Sequence, residues 1–130
     1  MKGFYSNIEK DTLENNDFRR VLYTGKHSQL VLMCLQTGEE IGAEVHADID
    51  QFFRIDKGTG KVIIDDNEYE VSDGDAIIVP AGANHNVINT SEDEPLKLYT
   101  IYSPPEHKDG TVHASKADAV EEHFDGKTTE

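Results

Sequence analysis

Histidine, carboxylate and amide side chains are concentrated in two short stretches of the chain. The first stretch carries Glu44, His46 and Gln51, and the second carries His85. Imidazole nitrogens and carboxylate oxygens are the side-chain atoms that most often hold divalent metal ions, and an amide oxygen can join them. If the four side chains meet in the fold, the chemistry they offer is that of a metal site.

The geometry of a β-strand predicts that these side chains converge. Side chains alternate between faces along a strand, so Glu44 and His46 point the same way. The odd offset from His46 to Gln51 requires a turn between them, and Gln51 then begins the next strand beside His46. The other residues placed on the inward face, where they would line a pocket, are Phe53, Ile55, His85 and Val87.

Glycine and proline residues around this group complete two motifs. The first motif is glycine, five residues, His-x-His, three or four residues, Glu, six residues and glycine. It is represented by Gly38, Glu44, His46, Gln51 and Gly58, with Glu44 replacing the first histidine and Gln51 replacing the glutamate. The second is glycine, five residues, Pro-x-Gly, two residues, His, three residues and Asn, and it is met without departure by Gly74, Pro80, Gly82, His85 and Asn89. On these motifs the chain resembles the cupin family, and in particular its small single-domain members.

The resemblance implies an all-β fold, the double-stranded β-helix or jelly-roll barrel. It also implies one divalent metal ion, held by Glu44, His46, Gln51 and His85. The set keeps one carboxylate, so its formal charge equals that of the family's three histidines and one glutamate. Its additional oxygen donor favours Mn, Fe, Co or Ni over a closed tetrahedral Zn site, although the resemblance leaves the metal's identity open.

Two other interpretations of these residues are possible. The histidines could hydrogen-bond inside a polar barrel without a metal, but a buried Glu44 then lacks a compensating charge, since no obvious Lys or Arg points inward. Asp48 is a rival ligand, because a His-x-His pattern that starts at His46 would place its second histidine there. That register fails at Gln51 and Gly38, so we exclude it.

Two further residues are candidates for catalysis. The last strand ends near Tyr102, and two prolines then turn the chain towards His107. At the mouth of a barrel, either side chain could donate or accept a proton. The alternative, which the sequence favours, is that Tyr102 packs in the core and His107 lies in a solvated loop.

Short apolar blocks rich in Val, Ile, Tyr and Phe alternate with turn residues, a pattern typical of antiparallel β-sandwiches and barrels. The predicted strands are Arg19–Thr24, Gln29–Gln36, Gly42–His46, Gln51–Lys57, Gly60–Asp65, Asn67–Val71, Ala76–Val79, His85–Asn89 and Leu96–Ser103. We expect a single domain over 1–130, with the barrel core at 19–103 and an extension at 104–130.

The two ends of the chain are predicted to lie outside the barrel. A short C-terminal helix is expected to begin at Ser115, with Ala117, Val120 and Phe124 at helical spacing. The polar first 17 residues are predicted to form a loop or an added edge strand.

Composition excludes some classes of partner. The 130 residues include 26 acidic and 12 basic side chains, and the net charge of -14 argues against nucleic acid and anionic membranes. The single cysteine, Cys34, precludes an internal disulfide and is typical of a reducing compartment. Without a signal peptide or a bilayer-length apolar run, we expect a soluble cytoplasmic protein. Because an open double-sheet fold has edges to cover, we also expect a homodimer.

Two functions fit these features. The resemblance implies a metal-dependent enzyme acting on a small polar organic molecule, with dioxygenase, isomerase or lyase chemistry. An isomerase of sugar phosphates would need a basic clamp, but the obvious cations are Arg54, Lys57 and Lys97, and Arg54 is predicted to face away from Gln51. The alternative is a non-enzymatic module that binds or senses a metal or small ligand.

Overall fold

Two antiparallel sheets form the molecule, which is described here by a computed structural model that covers residues 1–120 and 122–130. The strands are β1 Arg19–Thr24, β2 Gln29–Leu35, β3 Glu44–Val45, β4 Asp50–Lys57, β5 Thr59–Ile64, β6 Asn67–Ser72, β7 Ala76–Val79, β8 Asn84–Asn89, β9 Leu96–Ser103 and β10 Val112–His113. One sheet has the strand order β10-β1-β2-β9-β4-β7, and the other has the order β3-β8-β5-β6.

The core lies between the sheets and is built from the inward half of each alternating strand. Phe53 and Ile55 on β4 and Val87 on β8 are at most 1% exposed, as their predicted inward orientation requires. The jelly-roll prediction is confirmed, and the predicted strands agree with the observed ones to within a few residues. The strand predicted over Gly42–His46 is shorter in the structure, and β10 was not predicted.

The N-terminal segment contains an α-helix, α1, over Ile8–Glu14, so the prediction of a loop or edge strand was wrong. The side chain of Asn7 caps the helix by accepting a hydrogen bond from the backbone N–H of Lys10. The Lys97 ammonium group, on the outer face of β9, donates to the Leu13 carbonyl oxygen at 2.6 Å and ties the helix to the larger sheet. A seven-residue helix is stable mainly through such contacts, which local sequence patterns do not reveal.

The predicted C-terminal helix begins at its predicted cap, Ser115, but it is one 3-10 turn over Lys116–Asp118. Phe124 lies beyond that turn, and its backbone N–H donates to the Glu106 carbonyl oxygen at 2.8 Å. The residues around Phe124 therefore lie against the segment that follows β9. No helix among the described residues is both long enough and apolar enough to cross a bilayer.

Candidate metal centre

Two neighbouring strands of the smaller sheet bring Glu44 and His85 together. Glu44 on β3 pairs directly with His85 on β8 in antiparallel register. Side chains that are directly opposite in such a pair share a face. Glu44 and His85, which are 41 positions apart in sequence, thus become neighbours through strand pairing alone.

His46 joins them from the loop after β3. Its carbonyl oxygen accepts a hydrogen bond from the Gly82 N–H at 2.8 Å, which fixes this loop against the turn that precedes β8. One potential ligand atom from each of Glu44, His46 and His85 lies within 4.8 Å of the others. These three residues could hold one metal ion.

The second nitrogen of each imidazole ring faces an acceptor. Nδ1 of His85 lies 3.4 Å from the Ala83 carbonyl oxygen, and Nδ1 of His46 lies 3.7 Å from Oε2 of Glu106. A proton on each Nδ1 would leave both Nε2 lone pairs for a metal. Oxygen atoms behind the ligating histidines commonly set the tautomer and the ring orientation in this way.

Buried polar atoms of His46 and Gln51 have no hydrogen-bond partner among the described residues, which bears on whether these residues suit a metal. Nε2 of His46 lies 3.0 Å from Oε2 of Glu44, but the alignment is not that of a hydrogen bond. Gln51 is 3% exposed and donates through Nε2 to Thr100 Oγ1 at 3.0 Å, which leaves its Oε1 without a partner. An imidazole nitrogen and an amide oxygen left unpaired in a buried site are both suited to a divalent cation.

The ionisable groups of the cluster shift one another's pKa values. Burial alone would raise the pKa of the Glu44 carboxyl, but its contact with His46 and the nearby cationic groups lower that pKa overall. The same contact with Glu44 raises the pKa of the His46 imidazole, whereas burial lowers the pKa of the His85 imidazole. Glu44 is therefore the anionic member of the cluster at neutral pH, and His85 is neutral.

The two catalytic candidates lie beside the cluster and contact each other. The Tyr102 hydroxyl group lies 3.1 Å from Nε2 of His107, and the Tyr102 ring packs edge-on at 5.9 Å from the His46 ring. Burial lowers the pKa of His107 to about 3 and raises the pKa of Tyr102. Both side chains are thus uncharged at neutral pH, and the tautomer of His107 decides which of them donates the hydrogen bond. His107 is not in a solvated loop.

Two residues near the cluster were not found by the sequence analysis. Arg19 on β1 and Glu106, just after the two prolines, line the same cleft as Glu44. The expectation that no basic side chain points inward was wrong for Arg19. Its alternation with the buried Val21 is a signal that could have identified it. Arg54 does face outward, where it pairs with Asp56, and Asp48 is exposed.

The cleft at the cluster has a volume of about 230 Å³, and Ala119 and Val120 of the C-terminal segment form part of its wall. A larger cleft of about 530 Å³ lies between the N-terminal segment and the outer face of β1 and β2. The larger cleft is lined by no histidine, so we take the smaller one as the functional candidate. The chemistry of the lining residues identifies a functional cleft more reliably than its volume does.

Comparison with known proteins points to one family. A family model described as "Cupin domain" matches residues 31–102. The Bacillus subtilis protein YrkC is 52% identical over 125 residues, which are 92% of this chain and 67% of that protein. A protein of Acanthamoeba polyphaga mimivirus is 44% identical over 109 residues, covering 82% of this chain and 68% of its own length.

A crystal structure from Bacillus halodurans is similar over nearly the whole chain. It has 48% sequence identity and a TM-score of 0.87, and the match covers 90% of this chain and 92% of that one. The matched family model spans both motifs and the strands that carry Gln51, His85 and Tyr102. By its motifs, its two-sheet barrel and these relatives, the chain belongs to the cupin family.

Proposed function

We propose that this protein binds one divalent metal ion through Glu44, His46, Gln51 and His85, and that it is a metal-dependent enzyme acting on a small polar organic molecule. The observation that carries the proposal is the unpaired, buried Nε2 of His46 beside the carboxylate of Glu44. A metal ion would bind this nitrogen and the carboxylate together, in place of the direct contact between them.

The donor set favours an octahedral ion. Two imidazole nitrogens, one carboxylate oxygen and one amide oxygen suit Mn²⁺, Fe²⁺, Co²⁺ or Ni²⁺, and suit a closed tetrahedral Zn²⁺ site less well. Four protein ligands leave two positions of an octahedron for water or substrate. When bound, the ion supplies a Lewis acid that can polarise an oxygen atom of the substrate.

Residues of the chain itself would bind and orient the substrate. The Tyr102 hydroxyl group keeps its proton at neutral pH because burial raises its pKa, and its contact with His107 fixes its orientation. From the wall next to His46, it can donate a hydrogen bond or exchange a proton with a small ligand. The apolar neighbours Phe53 and Val87 exclude water from the inner side of the site.

Metal content and turnover test the two parts of this proposal separately. Purified protein, loaded in turn with Mn²⁺, Fe²⁺, Co²⁺, Ni²⁺ and Zn²⁺ and then desalted, should retain about one equivalent of metal per chain by elemental analysis. Dioxygen uptake and product formation are then measured with a panel of small diols, enols and thiols. Retained metal without turnover supports the alternative, a non-enzymatic binding or sensing module. Absence of retained metal contradicts the metal site, and with it both the enzyme and a metal-binding module.

We further propose that the protein is a cytoplasmic homodimer. Support comes from an apolar row on the outer face of the larger sheet, where Ile78 pairs with Phe52 and Phe52 pairs with Ile101. Ile78 is 66% exposed, and a second copy would cover it. Sedimentation at micromolar concentration should give the mass of a dimer, and Ile78→Asp should give a monomer. A wild-type monomer contradicts this assembly.

A further inference from the structure

Arg19 is held at the mouth of the barrel, on the inward side of β1. Its Cα partner across the sheet is Met33, a fully buried core residue, so both side chains lie on the face that looks toward the smaller sheet. The guanidinium carbon lies 5.2 Å from the centre of the Phe18 ring, and Nη1 lies 3.4 Å from Nδ1 of His113. These contacts hold the guanidinium group in place before any ligand binds.

The guanidinium group shares a cleft with Glu44, one of the proposed metal ligands. Arg19, Glu44, Glu106 and His107 all line the cleft of about 230 Å³. Nε of Arg19 is buried and has no hydrogen-bond partner in the part of the chain that the structure describes. Among the described residues, neither Glu44 nor Glu106 forms an ion pair with Arg19, since each carboxylate contacts His46 instead. The site thus contains a buried guanidinium N–H group that donates to none of the described residues.

We propose that Arg19 binds the carboxylate group of a small organic ligand, whose neighbouring oxygen atom would reach the metal centre. Planar guanidinium and carboxylate groups match in geometry and form paired, charge-assisted hydrogen bonds. A divalent ion and Arg19 together would carry three positive charges, and the carboxylates of Glu44, Glu106 and Glu122 line the same cleft. Because the lining is already rich in carboxylates, a singly charged monocarboxylate is favoured over a doubly charged phosphate.

This inference rests on the proposed metal site, because the ligand's second contact is the metal. The substrate class that it names is a hydroxy- or oxo-carboxylate of a few carbon atoms, small enough for the cleft. Ala119 and Val120, which also line the cleft, would contact its apolar carbons. Arg19 contributes specificity in this arrangement and takes no part in bond making or breaking.

The test uses L-lactate as the probe, with propane-1,2-diol as its uncharged counterpart and inorganic phosphate as a second anion. Binding is measured by calorimetry on Co²⁺-loaded protein and by saturation-transfer NMR on metal-free protein. Arg19→Gln should weaken lactate binding by at least about tenfold, while Arg19→Lys should weaken it less. Arg20→Gln is the matched control, because it removes the same charge from the next residue, which is exposed and pairs with Asp17.

Wild-type protein should prefer lactate to both other probes, and Arg20→Gln should bind it within about twofold of wild type. Equal lactate binding by wild type and Arg19→Gln contradicts the inference. A preference of the wild-type protein for the diol or for phosphate over lactate also contradicts it. If the protein retains no metal, the proposed function fails by itself. The effect of Arg19→Gln on lactate binding to metal-free protein then still decides the role of Arg19.

Discussion

Nε2 of His46 lies 3.0 Å from Oε2 of Glu44 without the alignment of a hydrogen bond. The carboxylate raises the pKa of this imidazole, so in the metal-free protein His46 holds a proton at higher pH than an ordinary histidine. Burial lowers the pKa of His85, which stays neutral over the same range. The proton that a metal ion must displace is therefore the one on His46.

As the pH is lowered, metal occupancy should consequently begin to fall at a higher pH than the pKa of a free histidine would predict. A metal ion binds neutral imidazole, and a raised pKa means that protons begin to compete above about pH 6.5. We expect metal affinity to decrease as the pH is lowered from 8 to 6, with release of a proton on binding, by calorimetry in two buffers of different ionisation enthalpy. Affinity that is constant down to pH 5 would contradict the assignment of His46 as a ligand.

Gln51→Glu should tighten metal binding by about tenfold or more. In the proposed site the substitution adds a second carboxylate to that of Glu44, which raises the negative charge that the ion neutralises. Without metal, two close buried carboxylates repel each other, so the metal-free variant should melt at a lower temperature than wild type. Melting curves recorded with and without Co²⁺ test both the loss of stability without metal and the tighter binding of metal. A variant that is as stable as wild type without metal and binds it no better would show that Gln51 is outside the site.

Glu106→Gln should weaken metal binding by up to about tenfold. Oε2 of Glu106 lies 3.7 Å from Nδ1 of His46, on the side of the ring away from Glu44. Loss of its charge removes the group that favours a proton on Nδ1 and leaves Nε2 less basic. Competition for Co²⁺ with a chelator measures the effect. The control is Glu122→Gln, which removes an exposed carboxylate from the same cleft and should leave affinity unchanged.

Gly58→Ala should lower the free energy of unfolding by more than about 2 kcal/mol. Gly58 has φ +94°, and a Cβ there would lie 2.5 Å from the Pro95 carbonyl oxygen. Gly38→Ala is the matched control, since Gly38 also has a positive φ, +72°, but a Cβ would meet nothing within 4 Å. Its cost should be about 1 kcal/mol, from backbone conformation alone. Equal costs in urea unfolding would contradict the steric role of Gly58.

The ligands that lie on or next to strands could be predicted from sequence, because side chains alternate between the two faces of a strand. Glu44, His46 and His85 meet as that alternation and the two motifs require. The pattern could not show α1, whose seven residues depend on tertiary contacts such as that of Lys97. It also missed Arg19, because an arginine at the start of a strand is usually solvated. The pairing of Arg19 with the buried Met33 shows that this one faces inward.

Metal retention by histidine variants tests the central claim most directly. Wild type, His46→Ala, His85→Ala and Asp48→Ala are loaded with Co²⁺, desalted and subjected to elemental analysis, with circular dichroism to verify that each variant is folded. We predict about one equivalent in wild type and in Asp48→Ala, whose carboxylate is exposed, and loss of most metal from both histidine variants. Full retention of metal by folded His46→Ala and His85→Ala would contradict the site.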